Sequence, residues 1–85
     1  MHRTTDQFRK RYHTLASEVR DRADKSFGLL KSDPKHPSLR FKKVGAFWSA
    51  RVDRTHRALA IEDGDDLVWV WIGSHEEYER LLKRR

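Results

Sequence analysis

The chain has 85 residues, 19 of them lysine or arginine and 13 aspartate or glutamate, so its formal net charge at pH 7 is +6. This length predicts a single domain, residues 1–85, with a small core. The lack of cysteine excludes disulfides, thiolate chemistry and cysteine-based zinc sites. The longest apolar run, Leu67 to Ile72, is far shorter than the roughly 20 residues of a membrane-spanning helix, and no signal segment follows Met1. We therefore expect a cytoplasmic protein with no membrane contact.

Two helices are predicted at the start of the chain. Thr4 and Gln7 have the spacing of a capping box, and apolar residues follow on one helical face. That stripe consists of Phe8, Tyr12 and Leu15. Ser17 is a candidate cap for the second helix. The second apolar stripe consists of Val19, Ala23, Phe27 and Leu30. Pro34 and Pro37 end the helical section because proline lacks an N–H, so the two helices are expected to form an antiparallel hairpin.

After Pro37 the apolar spacing changes to two, which predicts strands at about 39–44, 47–53, 56–62 and 67–73. Tight turns are expected at 54–55 and at 63–66. Ser74 and Glu77 form a second capping box. The helix that follows has its apolar residues at Tyr78, Leu81 and Leu82, and its C-terminal cations at Lys83, Arg84 and Arg85. The predicted fold class is α+β, with an N-terminal helical hairpin packed on a small, mainly antiparallel sheet of about four strands and a short C-terminal helix.

The charges are segregated along the chain. Residues 33–57 hold seven basic and two acidic side chains, whereas residues 58–79 hold seven acidic and no basic ones. Positive blocks suit a polyanion such as nucleic acid, or an acidic protein partner. An ordinary solvated surface is the alternative.

Motifs for metal or cofactor chemistry are missing. The four glycines are too far apart for a phosphate-binding loop, and the five histidines lack metal-ligand spacing, so we expect no metal and no cofactor. The strands do carry arginines and histidines, and arginine can neutralise a phosphate while neutral histidine transfers protons. Together they could cleave RNA by helping its 2′-hydroxyl attack the adjacent phosphate. The alternative is that these side chains are surface residues and that the three tryptophans belong to the core.

His75 is the histidine of greatest interest, because it would be the first residue after the Ser74 cap. The positive helix end favours the neutral imidazole there, while Glu76 and Glu77 act in the opposite direction. If the chain turns near Gly64, Arg57 comes opposite Ile72 and therefore close to His75. A histidine that only decorates a helix start is the alternative.

Three segments in this order resemble the RelE/ParE toxin superfamily, in its RelE/YafQ-like branch. They are KHPSLRFKKV at 35–44, WSARVDRTHRAL at 48–59 and WIGSHEEY at 71–78. The resemblance covers nearly the whole chain and implies the toxin of a type II toxin–antitoxin system. Relatives also begin with a full strand, whereas only residues 2–5 are available here, which would leave a sheet edge in need of cover.

The resemblance implies roles for individual residues. Arg57 would support the scissile phosphate with Arg51, His75 would transfer a proton, and Tyr78 is a further catalytic candidate that is equally suited to packing.

The predicted RNA-binding residues are Lys42, Lys43, Arg51, Arg54 and Arg57. A shared site requires Arg51 and Arg57 on one face of the sheet. A two-residue turn would separate them, whereas a three-residue turn would unite them with Arg51 opposite Leu59.

The predicted function is therefore metal-independent endoribonuclease cleavage of messenger RNA on the ribosome, which inhibits translation. The expected partners are a cognate antitoxin protein, messenger RNA and the ribosome. The alternative is a non-catalytic family member, either a ParE-like inhibitor of DNA gyrase or a non-toxic binding protein.

Overall fold

The computed structural model describes residues 1–83 and has three α-helices and one five-stranded sheet. The elements are β1 (His2–Thr4), α1 (Asp6–Thr14), α2 (Ser17–Ser32), a 3₁₀ turn (Pro37–Leu39), β2 (Lys42–Val44), β3 (Phe47–Arg51), β4 (His56–Asp63), β5 (Asp66–Ser74) and α3 (His75–Lys83). The spatial order of strands is β1-β5-β4-β3-β2, and only β1 is parallel to its neighbour. The predicted α+β class is thus confirmed, and β1 adds a strand to the four that were predicted.

The helical hairpin forms as predicted, but both of its caps differ from the expectation. The side chain of Thr5, not Thr4, accepts a hydrogen bond from the Phe8 N–H at 3.1 Å, so α1 begins one residue later. Ser17 is already the first residue of α2, and the preceding Ala16 has no side-chain hydrogen bond to offer. The turn between the helices therefore relies on backbone bonds, such as the one from Val19 N to Ala16 O at 3.0 Å.

The core lies between this hairpin and one face of the sheet. Phe8, Val19, Ala23 and Leu30 of the predicted stripes are buried. On the sheet side, small residues leave room for large ones. The small ones are Ala50, Ala58 and Ala60, and the large ones are Trp69 and Ile72. Phe27 packs edge-on against Trp69, with ring centroids 5.2 Å apart, so Trp69 is a core residue.

The registers of two hairpins decide where the site residues lie. Between β3 and β4, Val52 N donates to His56 O at 3.1 Å, and Arg51 lies directly opposite Arg57. The two arginines therefore share a face, as the proposed phosphate site requires, although Arg51 is not opposite Leu59 as expected.

A β-bulge shifts the other register. Leu59 lies opposite Trp71 and Ala60 opposite Trp69, so Val70 has no residue opposite it. This extra residue moves Arg57 opposite Gly73 instead of Ile72. The predicted partner of Arg57 was therefore wrong by one position, because the prediction assumed regular β4–β5 pairing from the turn at Gly64 without a bulge.

The helix α3 covers one end of the second face of the sheet. Its capping box is confirmed, since Glu77 N donates to Ser74 Oγ at 3.2 Å and Ser74 N donates to Glu77 Oε1 at 3.3 Å. Tyr78 is buried beneath it. The helix is described to Lys83, and the predicted cations Arg84 and Arg85 lie outside the described residues. Within residues 1–83, none of the helices combines the length and apolar character needed to cross a bilayer.

The sheet edge left by the short β1 is covered by a side chain. β1 pairs only with residues 67–69 of β5. Beyond it, Arg11 of α1 donates from Nε to Ile72 O at 2.8 Å and from Nη2 to Glu77 Oε2 at 2.9 Å. Its guanidinium also stacks 5.1 Å from the Trp71 ring. Arg11 thus joins α1, β5 and α3 at the edge where a longer first strand was expected.

Candidate functional site

A concave site of about 280 Å³ lies between α3 and the strands β2, β3 and β4. Because side chains alternate along a strand, this face of the sheet carries the residues that do not face the helical hairpin. We call this site the basic pocket. Its lining residues are Arg40, Lys42, Val44, Ser49, Arg51, Arg57, His75, Tyr78, Glu79 and Leu82. The four predicted catalytic residues are all among them.

Arg57 is held at the base of the basic pocket by backbone oxygens. Its Nη1 donates to Asp53 O at 2.8 Å and to His56 O at 2.9 Å. Arg51 approaches from the opposite strand, with its Nε 3.4 Å from the same Asp53 oxygen. Burial lowers the pKa of Arg57, and the charge of Arg51 lowers it further. An anion placed here would relieve this repulsion.

Positive charge dominates the basic pocket. Among the described residues that line it, the cations are Arg40, Lys42, Arg51 and Arg57, and Glu79 is the one carboxylate. None of these four cations takes part in an ion pair with a described residue of the chain. Such a set of unneutralised donors suits a phosphate group. In the same part of the chain, no three His, Cys, Asp or Glu residues come together in a way that could hold a metal ion.

His75 lies at the first position of α3 and lines the basic pocket together with both arginines. Its backbone N–H donates to Thr55 O at 2.7 Å, which joins α3 to the connection between β3 and β4. Its Nε2 is 3.3 Å from Glu79 Oε1. Its Nδ1 is buried and has no hydrogen-bond partner among residues 1–83. Nε2 is therefore the nitrogen left for proton exchange.

Tyr78 lies beside His75, and the two rings stack with centroids 5.9 Å apart. Its side chain is 6% exposed. This burial shows the packing role, while a catalytic role for the hydroxyl stays a prediction.

The structure separates the predicted RNA-binding residues. Lys42 is opposite Ser49 and lines the basic pocket. Lys43 points to the other face of β2, where its Nζ is 3.2 Å from Glu62 Oε1 and 5.9 Å from the centre of the Trp48 ring. Arg54 is exposed in the connection between β3 and β4 and does not line the pocket.

Three polar residues that line the basic pocket were not predicted as site residues: Arg40, Ser49 and Glu79. Arg40 follows the 3₁₀ turn in a left-handed conformation with φ 44°, which the sequence does not signal. Ser49 is the pairing partner of Lys42, and Glu79 is four residues after His75. That i,i+4 spacing on a helix is the one signal that could have identified Glu79.

Gly73 lies where two side chains approach β5 closely. A Cβ at this position would lie 2.6 Å from Trp71 Cζ2 and 2.9 Å from Arg11 Nη2. The glycine therefore allows the Trp71 ring and the Arg11 guanidinium to approach the strand.

A comparison with protein-family models identifies the family of this chain. A family model described as the ParE-like toxin domain matches residues 17–80. No curated protein sequence matches the chain significantly.

Solved structures share the fold at low sequence identity. RelE in the RelB–RelE antitoxin–toxin complex from Methanococcus jannaschii has a TM-score of 0.72 and 12% identity, over 93% of this chain and 96% of that chain. YafQ from E. coli strain BL21(DE3) has a TM-score of 0.69 and 13% identity, over 92% and 96%. The isolated E. coli RelE toxin has a TM-score of 0.64 and 14% identity, over 99% and 96%. The chain belongs to the ParE-like toxin domain family, within the RelE/ParE toxin superfamily.

Proposed function

We propose that this protein is the toxin of a two-component toxin–antitoxin system and a metal-independent endoribonuclease that cleaves messenger RNA on the ribosome. One observation carries the proposal: Arg51 and Arg57 lie opposite each other on neighbouring strands and line the same basic pocket as His75. A guanidinium can bind phosphate oxygens bidentately, and an imidazole transfers protons near neutral pH. The pocket thus combines the two functions that RNA cleavage without a metal requires.

The reaction would use the 2′-oxygen of the RNA as the nucleophile. This oxygen attacks the adjacent phosphorus, the bond from phosphorus to the 5′-oxygen breaks, and the ends are a 2′,3′-cyclic phosphate and a 5′-hydroxyl. One proton leaves the 2′-hydroxyl and one reaches the 5′-oxygen. His75 performs one of these transfers through Nε2, which Glu79 holds at 3.3 Å, and Tyr78 is the candidate for the other.

The arginines would act on the phosphate itself. Charge builds up on its non-bridging oxygens during the attack, and fixed donors aimed at those oxygens lower the barrier. Arg57 is already oriented by Asp53 O and His56 O, so little reorganisation is needed when RNA binds. Arg51 and Lys42 supply further positive charge at the same place.

A cognate antitoxin is the proposed protein partner. The RelE relative from Methanococcus jannaschii was solved as an antitoxin–toxin complex, and the basic pocket would attract an acidic antitoxin segment. Occupation of the pocket by such a segment would exclude RNA and hold the toxin inactive.

The test compares His75→Gln and Arg57→Ala with the parent on purified ribosomes carrying a defined messenger RNA. Loss of a proton-transfer group typically costs roughly 10²–10⁴ in rate, and loss of a charge-stabilising donor about 10²–10³. We therefore expect each variant to cleave at least about a hundredfold more slowly and to lose growth arrest. Both should stay folded and bind the antitoxin.

Matched controls are His13→Gln and Arg20→Ala, which change side chains on the helical hairpin outside the basic pocket. Both should behave like the parent. If His75→Gln and Arg57→Ala instead remain as toxic as the parent, the nuclease proposal is wrong. Inhibition of gyrase supercoiling by the purified protein would then identify the alternative function.

A further inference from the structure

Asp53 is the most heavily bonded carboxylate in residues 1–83, and the proposed mechanism does not use it. It belongs to the β3–β4 loop, residues 52–55. Its Oδ1 accepts hydrogen bonds from Thr55 N at 2.8 Å and Thr55 Oγ1 at 3.1 Å, and lies 3.1 Å from His56 Nδ1. Its Oδ2 accepts from Arg22 Nη1 of α2 at 3.2 Å. The side chain is only 11% exposed, so these bonds replace water almost completely.

The backbone of the same residue serves the other face of the sheet. Asp53 O accepts from Arg57 Nη1 at 2.8 Å and from Arg51 Nε at 3.4 Å. One residue therefore connects α2, through its carboxylate, with both arginines of the basic pocket, through its carbonyl. The orientation of that carbonyl is set by the loop conformation, and the carboxylate bonds to Thr55 define that conformation.

We propose that Asp53 is the positioning residue for the arginine pair: its carboxylate fixes the β3–β4 loop so that its carbonyl oxygen orients Arg57 and Arg51 toward the bound phosphate. A free arginine side chain has many rotamers, and a phosphate site works best when its donors are ordered before the ligand arrives. Burial alone would raise the pKa of Asp53, but the Thr55, His56 and Arg22 hydrogen bonds lower it to about 2. The carboxylate is therefore charged at neutral pH and available to all these donors.

The orienting role can be read without any enzymatic activity, in the rotation of the Arg57 guanidinium about its Cζ–Nε bond. In the parent, the two carbonyl contacts to Nη1 should slow this rotation, which NMR exchange of the Nη protons measures. Asp53→Ala should raise the rotation rate at least about tenfold. Asp53→Asn keeps an oxygen for the Thr55 N–H and should restore slow rotation. Asp21→Ala, an exposed carboxylate of α2, is the matched control and should leave the rate unchanged.

The catalytic consequence rests on the proposed ribonuclease function. Misplacement of a catalytic group by about 1 Å can cost around 10²-fold, so Asp53→Ala should lower kcat about ten- to a hundredfold on ribosome-bound messenger RNA. KM should change much less, since Lys42 and Arg40 remain. Asp53→Asn should recover most of kcat.

Each outcome has one meaning. Unchanged rotation of Arg57 in a folded Asp53→Ala variant overturns the proposal. Faster rotation with unchanged kcat overturns its catalytic part. If the parent cleaves no RNA, the ribonuclease function fails, while the rotation rates still decide whether Asp53 orients Arg57. If Asp53→Ala does not fold, the double variant Arg22→Ala/Thr55→Val removes two donors and is measured in its place: faster rotation supports the proposal, and parent-like rotation overturns it.

Discussion

Asp53 gives a pH-dependent contribution to stability whose size follows from its environment. Its pKa is about 2 in the folded protein and 3.8 as the unperturbed value. The difference, at about 1.4 kcal/mol per pKa unit, is worth about 2 kcal/mol of unfolding free energy. Because the folded pKa is the lower one, the contribution is complete above about pH 4.5. It disappears as the pH falls toward about 2 and the carboxylate takes up a proton.

Urea unfolding of the parent and of Asp53→Asn at a series of pH values measures this contribution. Near pH 6, the parent should be about 2 kcal/mol more stable than the variant, and most of this difference should be lost by about pH 2.5. Asp21→Asn is the control, and should change stability by less than about 0.5 kcal/mol. A parent–variant difference that does not shrink on acidification would refute the hydrogen-bonded, charged state of Asp53.

Two further pairs of variants test the packing at two glycines and the RNA-binding role of two lysines. Gly28→Ala should stabilise the protein by about 1 kcal/mol, since open space surrounds this position of α2. Gly73→Ala should destabilise it by about 1–3 kcal/mol, because the added Cβ displaces Trp71. Chemical unfolding in which both variants change stability in the same direction would contradict these two predictions. Lys42→Ala should make the plot of log binding constant for RNA against log salt concentration shallower, with a slope smaller by about one. Lys43→Ala should have a smaller effect on this slope, because Lys43 is paired with Glu62 on the other face of the sheet. Equal effects of the two variants would show that the basic pocket is not the main RNA contact surface.

Much of the fold follows from local sequence signals. The apolar stripes of α1 and α2 identify core residues because burial of one helical face is set by the 3.6-residue period. The capping box at Ser74 and Glu77 forms because both partners belong to one short segment. By contrast, the N-cap of α1 was predicted one residue too early, because Thr4 and Thr5 offer the same capping hydroxyl. Thr4 pairs with β5 as part of β1, so Thr5 caps the helix.

The geometry of the site was less predictable, because it depends on registers that turns and bulges set. The face shared by Arg51 and Arg57 depends on where the β3–β4 loop begins, and that loop contains the hydrogen bonds from Thr55 to the Asp53 carboxylate. The bulge at Val70 has no sequence signal of its own, yet it moves Arg57 by one position along β5. Glu79 reaches His75 only because α3 begins at His75. Residue types were therefore readable from the sequence, while their distances were not.

The chemistry of the RNA ends tests the central claim most directly. Messenger RNA cleaved by the purified protein on ribosomes would be recovered, and the groups at the new ends determined. Attack by the 2′-oxygen in the basic pocket predicts a 2′,3′-cyclic phosphate on one fragment and a 5′-hydroxyl on the other, with both lost in His75→Gln. A 3′-hydroxyl paired with a 5′-phosphate, or cyclic phosphate ends that persist undiminished in His75→Gln, would contradict the roles assigned to the pocket.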